Sequence, residues 1–497
     1  MAFLIGGANS AADTGYSVAN SCMFEGDDSG SYMKKDLDSG TSQKIMTISF
    51  WVKRSGLTSA VNVITDSSDN VGTTYAQIAF NTSNQLDIQF TVSSGSTARI
   101  TTNRIFRDIA AWYNVCVALD TTQSTDTNRL KIYINGAQET SFATSNWPDQ
   151  NIDTQWGNGS GVIWVSSEAN AGSNLELDGY LAEFVYLDGT AASPTSFGEF
   201  DSDSPQIWKP IDVSGLTFGN NGFYLDFEAS DNLGNDANGG TDLTEAGLGA
   251  TNQANDNPTN NFCVMNTLDK YWPTTGTAAA FSQGNLKVVG GSGSNSSTGY
   301  SYYTSTFGLS AGKWYWEVHI TDIPAGGGQS LVGIIDVTQR YNQNLGEIAN
   351  ATGIAWGIKN NGHVFNNNQG AAAETGTFAE GDTVGIALDI TNSKMYFSKG
   401  GAWSDGNEAW DSTTFNASTG AVDITAVGST HNGYWFVTVG GTEYSATTTW
   451  TLNFGSPAHS ITISSGNADE NGYGNFEYAV PDGFLAICTK NLGSTGG

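Results

Sequence analysis

The sequence predicts an all-β protein made of two antiparallel β-sandwiches in tandem. Three observations carry that expectation. A hairpin-shaped pattern occurs twice, at 111–137 (AWYNVCVALDTTQSTDTNRLKIYINGA) and at 381–402 (GDTVGIALDITNSKMYFSKGGA). In each copy an alternating strand ends in Ala-Leu-Asp, a polar loop follows, and a second alternating strand ends in a Gly-containing turn. Val115, Val117 and Leu119 share a face answered by Leu130, Ile132 and Ile134; Val384, Ile386, Leu388 and Ile390 share one answered by Met395 and Phe397. Alternation with period 2 marks half-buried antiparallel sheet. Composition is the second observation: 61 of 497 residues are Gly, above the usual ~7%, and 14% are charged against a typical ~25%. Many short strands joined by tight polar turns have this composition. The third is that no long apolar stretch repeats with period 3.6, so helices contribute little. Two sandwiches of 200–250 residues each would fill the length.

Taken in order, residues 1–20 are small and polar after Phe3-Leu4-Ile5, an arm with no core of its own that docks on something else. Residues 21–227 form the first sandwich. It opens with SCMFEGDDSGSYMKKD at 21–36 and a strand around 47–54, where Phe50 and Val52 alternate with Ser49 and Trp51. Further strands fall at 76–80, 86–90, the hairpin at 113–136, 161–166, and LDGYLAEFVYLDG at 177–189. Residues 228–260 are the longest stretch of low hydrophobicity and read as a surface connector, with the boundary near Asn257-Pro258. Residues 261–497 form the second sandwich. Its strongest strand is 312–320, with Trp314, Trp316 and Val318 on one face; others fall at 284–289, 331–336, 353–358 and 450–455.

These pieces resemble known families. "SCMFEGDDSGSYMKK", "TISFWVKRSG", "WYNVCVALD", "RLKIYINGAQ" and "LDGYLAEFVYLDG" come in the order of a laminin-G-like, concanavalin A-type jelly roll. More narrowly they resemble the version found in tailed-phage structural proteins, where segments like FGNNGFYLDF (218–227) and DNPTNNF (256–262) follow. The second half, with "GKWYWEV", "LVGIID", "GIAWGI", "GDTVGIALDITNSKMYFSKGG" and "WTLNFG", resembles the SPRY sandwich. The ending PDGFLAICTKNL again looks like the phage version. The resemblance implies a concanavalin A-like domain followed by a SPRY-like domain in a virion surface protein: a short fibre, tail appendage or capsid decoration. It also implies non-catalytic binding of host-surface polysaccharide, docking on other virion proteins through the arm, and assembly as a homo-oligomer. A purely architectural capsid or tail protein and a glycan depolymerase are the alternatives.

Bulk properties narrow the partners. A net charge of −30 repels phosphate backbones and anionic membrane surfaces, so neither nucleic acid nor membrane insertion is expected. Cys22, Cys116, Cys263 and Cys488 are widely spread without a CxxC pair, which fits synthesis in a reducing cytoplasm rather than a disulfide framework. The start, MAFLIGGANSAADTG, lacks the basic region and apolar length of a signal peptide.

No catalytic constellation stands out. A glucanase of this shape needs two carboxylates in one cleft, about 5–5.5 Å apart if it retains configuration. The best local candidates, Glu176 and Glu183, are an odd number of residues apart and point to opposite faces of a strand unless a bulge intervenes. His319, His363, His431 and His459 show no metal-ligand spacing. For calcium, the acidic turns at 66–70, with Asp66 and Asp69, and at 231–236 offer clustered oxygens, although such clusters are first of all turn formers. Trp147, Trp156 and Trp164 flank a Gly/Asn-rich loop; Trp164 lies in an apolar strand and is assigned to the core, leaving Trp147 and Trp156 as sugar-stacking candidates. Tyr341, Trp403, Trp410 and His431 are the loop candidates of the second half, the first three for carbohydrate.

Overall fold

The computed structural model describes residues 4–5, 15–26, 30–67, 75–91, 97–167, 175–271, 276–293, 300–324, 329–336, 355–366, 369–373, 375–424, 433–442 and 447–494. Within them the regular structure is nearly all β-strand, with three 3-10 turns and one short helix, Thr489–Ser494. It divides into two compact units, Ala11–Thr259 and Met1–Ser10 with Asn260–Gly497.

The first unit is a sandwich of two eight-stranded sheets. One has Tyr113–Asp120, Ile45–Arg54 and Gly179–Asp188 at its centre; the other runs from Phe142–Asn146 through Val61–Ser67 to Tyr32–Asp36. The repeated hairpin closes in the register its side chains dictate: Val115 faces Ile134, Val117 faces Ile132 and Leu119 faces Leu130. Ile48, Phe50 and Val52 join these residues in the core between the sheets. The alternation had implied an outer face open to water, yet that face is covered too. Residues 190–225 fold back over it, and Cys116, Val185, Leu187, Phe197, Val213, Phe218 and Tyr224 make a second, outer core. Accordingly Trp51, Ser49 and Lys53, on the outer face, are also buried.

Residues 228–259, read from sequence as a connector, belong to this unit and extend both sheets. Thr244–Ala246 pairs with Tyr32–Asp36, and Gln253–Ala254 pairs with Ser21–Phe24. Residues 16–20 also correct the reading of a coreless arm over 1–20. Val18 is buried, and Tyr16 donates a hydrogen bond to Glu183. Further back, Leu4–Ile5 pairs in parallel with Phe307–Gly308, within the second unit.

The second unit sandwiches a seven-stranded sheet against a ten-stranded one. The repeated hairpin lies in the larger sheet, with Ile386 opposite Phe397 and Leu388 opposite Met395. Next to it, Lys313–Asp322 places Trp314, Trp316 and Val318 opposite Leu388, Ile386 and Val384. All six are buried. Here again the outer face is covered: residues 455–490 bring Phe476, Phe484, Ala486 and Cys488 onto Tyr315, Ala387, Tyr396 and Trp403. All four cysteines are buried and none is in a disulfide.

One ion pair ties the last segment of the first unit to its sheet. Lys53 Nζ lies 2.6 Å from Asp256 Oδ2, and Trp112 Nε1 donates to Asp256 Oδ1 at 3.0 Å. Both charged side chains are only 1% exposed. Breaking an ion pair buried away from water typically costs about 3–5 kcal/mol. Asp256→Ala is expected to lower the stability of the first unit by that amount in urea unfolding followed by tryptophan fluorescence. The transition of the second unit stays where it was.

Candidate functional site

Glu183 sits at a β-bulge. The register of Gly179–Asp188 against Ile45–Arg54 shifts between Ala182 and Val185, and Glu183 itself has φ of +49°. Without the extra residue, Leu181 and Glu183 would both face the core. With it, Leu181, Phe184 and Tyr186 face inward instead. The bulge therefore keeps a carboxylate out of the apolar core and lets two aromatic rings in, at the cost of a backbone conformation that L-residues seldom adopt. Phe184 stacks on Phe50 at 5.4 Å and on Phe223 at 6.0 Å.

The bulged carboxylate does not reach water. Glu183 is 5% exposed and accepts hydrogen bonds from Tyr224 Oη at 2.9 Å and Tyr16 Oη at 3.1 Å; the two hydroxyls are 3.0 Å apart. Burial pushes its pKa up to about 7 against the lowering effect of those bonds. The same burial, with the Glu183 charge, raises both tyrosines well above the usual phenol range. Sequence reasoning singled out Glu183 but missed its partners, which lie 167 and 41 residues away with no local signal. Glu176, the other half of the proposed catalytic pair, is also buried, at 3% exposure.

Asp66 is corrected from an open acidic turn to a strand interior. It lies in Val61–Ser67, fully buried, and accepts from Gly157 N at 3.0 Å and Gln155 Nε2 at 3.3 Å. Burial raises its pKa well above the carboxylate range. Asp69 lies outside the described residues. In the other acidic turn, Asp236 accepts from Tyr224 N and Asn238 N and pairs with Lys35, while Asp242 takes Asp236 N and Asn232 Nδ2. These oxygens fasten the turn. Among the described residues no three His, Cys, Asp or Glu side chains gather as metal ligands would.

The aromatic candidates separate by burial. Trp156 is fully buried in the first core and Trp403 is 6% exposed in the outer core of the second unit, so neither presents a ring face to a sugar. Both are corrected to packing residues. Trp164 is in the core as expected, 5% exposed. Trp147 remains half-buried at the end of an exposed strand, edge-on to Phe142 at 5.5 Å. Trp410 is half-buried over Gly376, its indole N–H bonded to Thr377 O at 2.9 Å. Tyr341 and His431 lie outside the described residues.

The Glu183 cluster makes stability depend on pH. A carboxyl whose folded pKa exceeds its unfolded value of 4.5 favours the protonated folded state. Its contribution is complete below pH 4.5, declines as pH rises through about 7, and is then lost, a change of up to about 3 kcal/mol. Glu183→Gln keeps the shape and acceptor oxygen without the charge. In urea unfolding at pH 5 and pH 8.5, the variant's first transition is expected to shift less between the two pH values than the parent's, and to be the more stable at pH 8.5.

Family comparisons agree with this architecture. Residues 27–192 match the model of the concanavalin A-like lectin/glucanases superfamily, and residues 313–444 match that of the SPRY domain. A search of curated proteins finds no match. Among solved structures, the SPRY domain of human HERC1 is similar at 13% identity, covering 40% of this chain and 99% of its own, with a TM-score of 0.28. A candidate carbohydrate-binding protein from Bacteroides ovatus is similar at 15% identity, with 46% and 58% covered and a TM-score of 0.32. Domains LG4-5 of the mouse laminin α1 chain are similar at 11%, with 94% and 88% covered and a TM-score of 0.29. The chain therefore carries a concanavalin A-like domain followed by a SPRY domain.

Proposed function

We propose that the protein is a non-catalytic binding protein on the surface of a tailed-phage virion, as a short fibre, tail appendage or capsid decoration, and that it recognises host-surface polysaccharide. The observation that carries the non-catalytic part is the burial of both candidate carboxylates. A glycosidase must bring its two carboxyls against the scissile bond. Glu176 and Glu183 are 3% and 5% exposed, and Glu183 is held by two tyrosine hydroxyls. The virion assignment is supported by the segments that resemble the phage version. FGNNGFYLDF, DNPTNNF and PDGFLAICTKNL each supply a closing piece of a sandwich: the strand Phe223–Leu225, the buried Asp256, and the strand Leu485–Ala486 on Lys313–Asp322. In this reading the segment before the first sandwich contacts other virion proteins and the chain assembles as a homo-oligomer.

The glycan surface is assigned to the half-buried Trp147, with Trp410 as its counterpart in the second unit, because an indole needs an open face to stack on a sugar ring. Labelled full-length protein is expected to bind a host-surface polysaccharide saturably, in competition with free sugar. Trp147→Ala should weaken that binding by about tenfold, near 1.4 kcal/mol. An arm with EDTA and added calcium tests the acidic turns. No saturable binding to any host polysaccharide favours the architectural alternative. Reducing-end release that Glu183→Gln abolishes establishes the depolymerase instead.

A further inference from the structure

We propose that the cavity over the outer face of the ten-stranded sheet, in the SPRY-containing unit, is a binding site for one uncharged sugar residue. The inference takes its ligand class from the glycan reading above but rests on none of the residues named there.

The cavity has a volume of about 210 Å³ and lies where residues 460–462 and Glu477 cross over the strands carrying Glu317, His319, Thr383 and Asn453. That is room for a single ring rather than a chain. Its floor is rigid. Glu317, 2% exposed, accepts from Tyr478 N at 2.9 Å and Tyr315 Oη at 3.1 Å on one oxygen, and from Glu477 N at 3.1 Å and Asn453 Nδ2 at 3.4 Å on the other. Four donors from three segments fix that carboxylate, so the site is preorganised before a ligand arrives.

Its chemistry selects the ligand. Among the described lining residues there is no Lys or Arg, and two are carboxylates, Glu317 and Glu477. His319 hydrogen-bonds Thr383 Oγ1 through Nδ1 at 3.1 Å, and burial lowers its pKa, so the ring adds no charge at neutral pH to draw an anion. Serine and threonine hydroxyls, the imidazole and the half-buried Glu477 carboxylate are mostly acceptors or adaptable partners, which suits a ligand covered with hydroxyl donors. Ile461 supplies an apolar patch for the C–H face of a ring. A uronate or sialate would bring its negative charge beside the Glu477 carboxylate and the acceptor oxygens of Glu317, an arrangement that disfavours binding.

Ligand-observed NMR on the full-length protein, with the methyl glycosides of glucose, galactose, mannose and N-acetylglucosamine and with glucuronate, tests the site. At least one neutral glycoside is expected to bind saturably and glucuronate is not. Thr462 is exposed, so Thr462→Arg fills the mouth without disturbing the core. It should weaken the bound glycoside at least tenfold while circular dichroism and urea unfolding stay at parental values. Glycoside binding that survives Thr462→Arg but is lost in Trp147→Ala belongs to the surface assigned above, which separates the two sites. The proposal is overturned if no neutral glycoside saturates, if glucuronate binds as well as the neutral sugars, or if Thr462→Arg has no effect.

Discussion

Both sandwiches depend on covering the outer face of one sheet. In each, the central strands are buried on both sides: every residue of Gly179–Asp188 is buried, and so are five consecutive residues of Lys313–Asp322. A sheet with one wet face tolerates any polar residue there. A sheet covered twice favours a partner for each polar group, because an unpaired buried group costs about 1–3 kcal/mol. The covering segments, 190–225 in the first unit and 455–490 in the second, supply both the apolar lid and the donors. The polar features described above trace to that double coverage. Lys53 meets Asp256, Glu183 meets Tyr224, and Glu317 meets the backbone at 477–478.

How much of this was readable follows from the range of each interaction. The two hairpins were fully specified, because alternating apolar residues separated by a short polar loop leave one register that puts Val117 on Ile132 or Ile386 on Phe397. The outer cores were not. Alternation such as Ser49-Phe50-Trp51-Val52 says which residues face inward but not that a distant segment returns over the others. For the same reason the polar run at 228–259 read as a connector. Its Thr244–Ala246 and Gln253–Ala254 pairings use backbone groups, which any composition supplies.

The site residues divide along the same line. Trp164 announced its burial through apolar neighbours, whereas Trp156, set in Gln155-Trp156-Gly157-Asn158, carried every mark of an exposed loop and is nonetheless in the core. Asp66 shows the inverse case. Followed by Ser-Ser-Asp-Asn it looked like a turn, yet it accepts hydrogen bonds inside a strand. The bulge at Glu183 was visible only as a conflict, since an unbroken strand would point that carboxylate into an apolar core. A charged residue in phase with Leu181 and out of phase with Phe184 is in retrospect the signal that the register slips there.

Glu183 and Glu317 show the same constraint met by two local means. Each lies on the covered face of a central strand, each takes a tyrosine hydroxyl, and burial lifts each to a pKa of about 7. Glu183 needs a bulge because the native alternation would send it the wrong way; Glu317 already alternates outward between Trp316 and Val318 and needs none. The difference has a functional consequence. The 190–225 segment closes on Glu183 and leaves the carboxylate enclosed between two tyrosines, whereas residues 460–462 cross above Glu317 and leave a hollow beside it. A covered sheet face thus becomes a binding site where its lid stands off, and that turns on the lid's path rather than on the strand beneath.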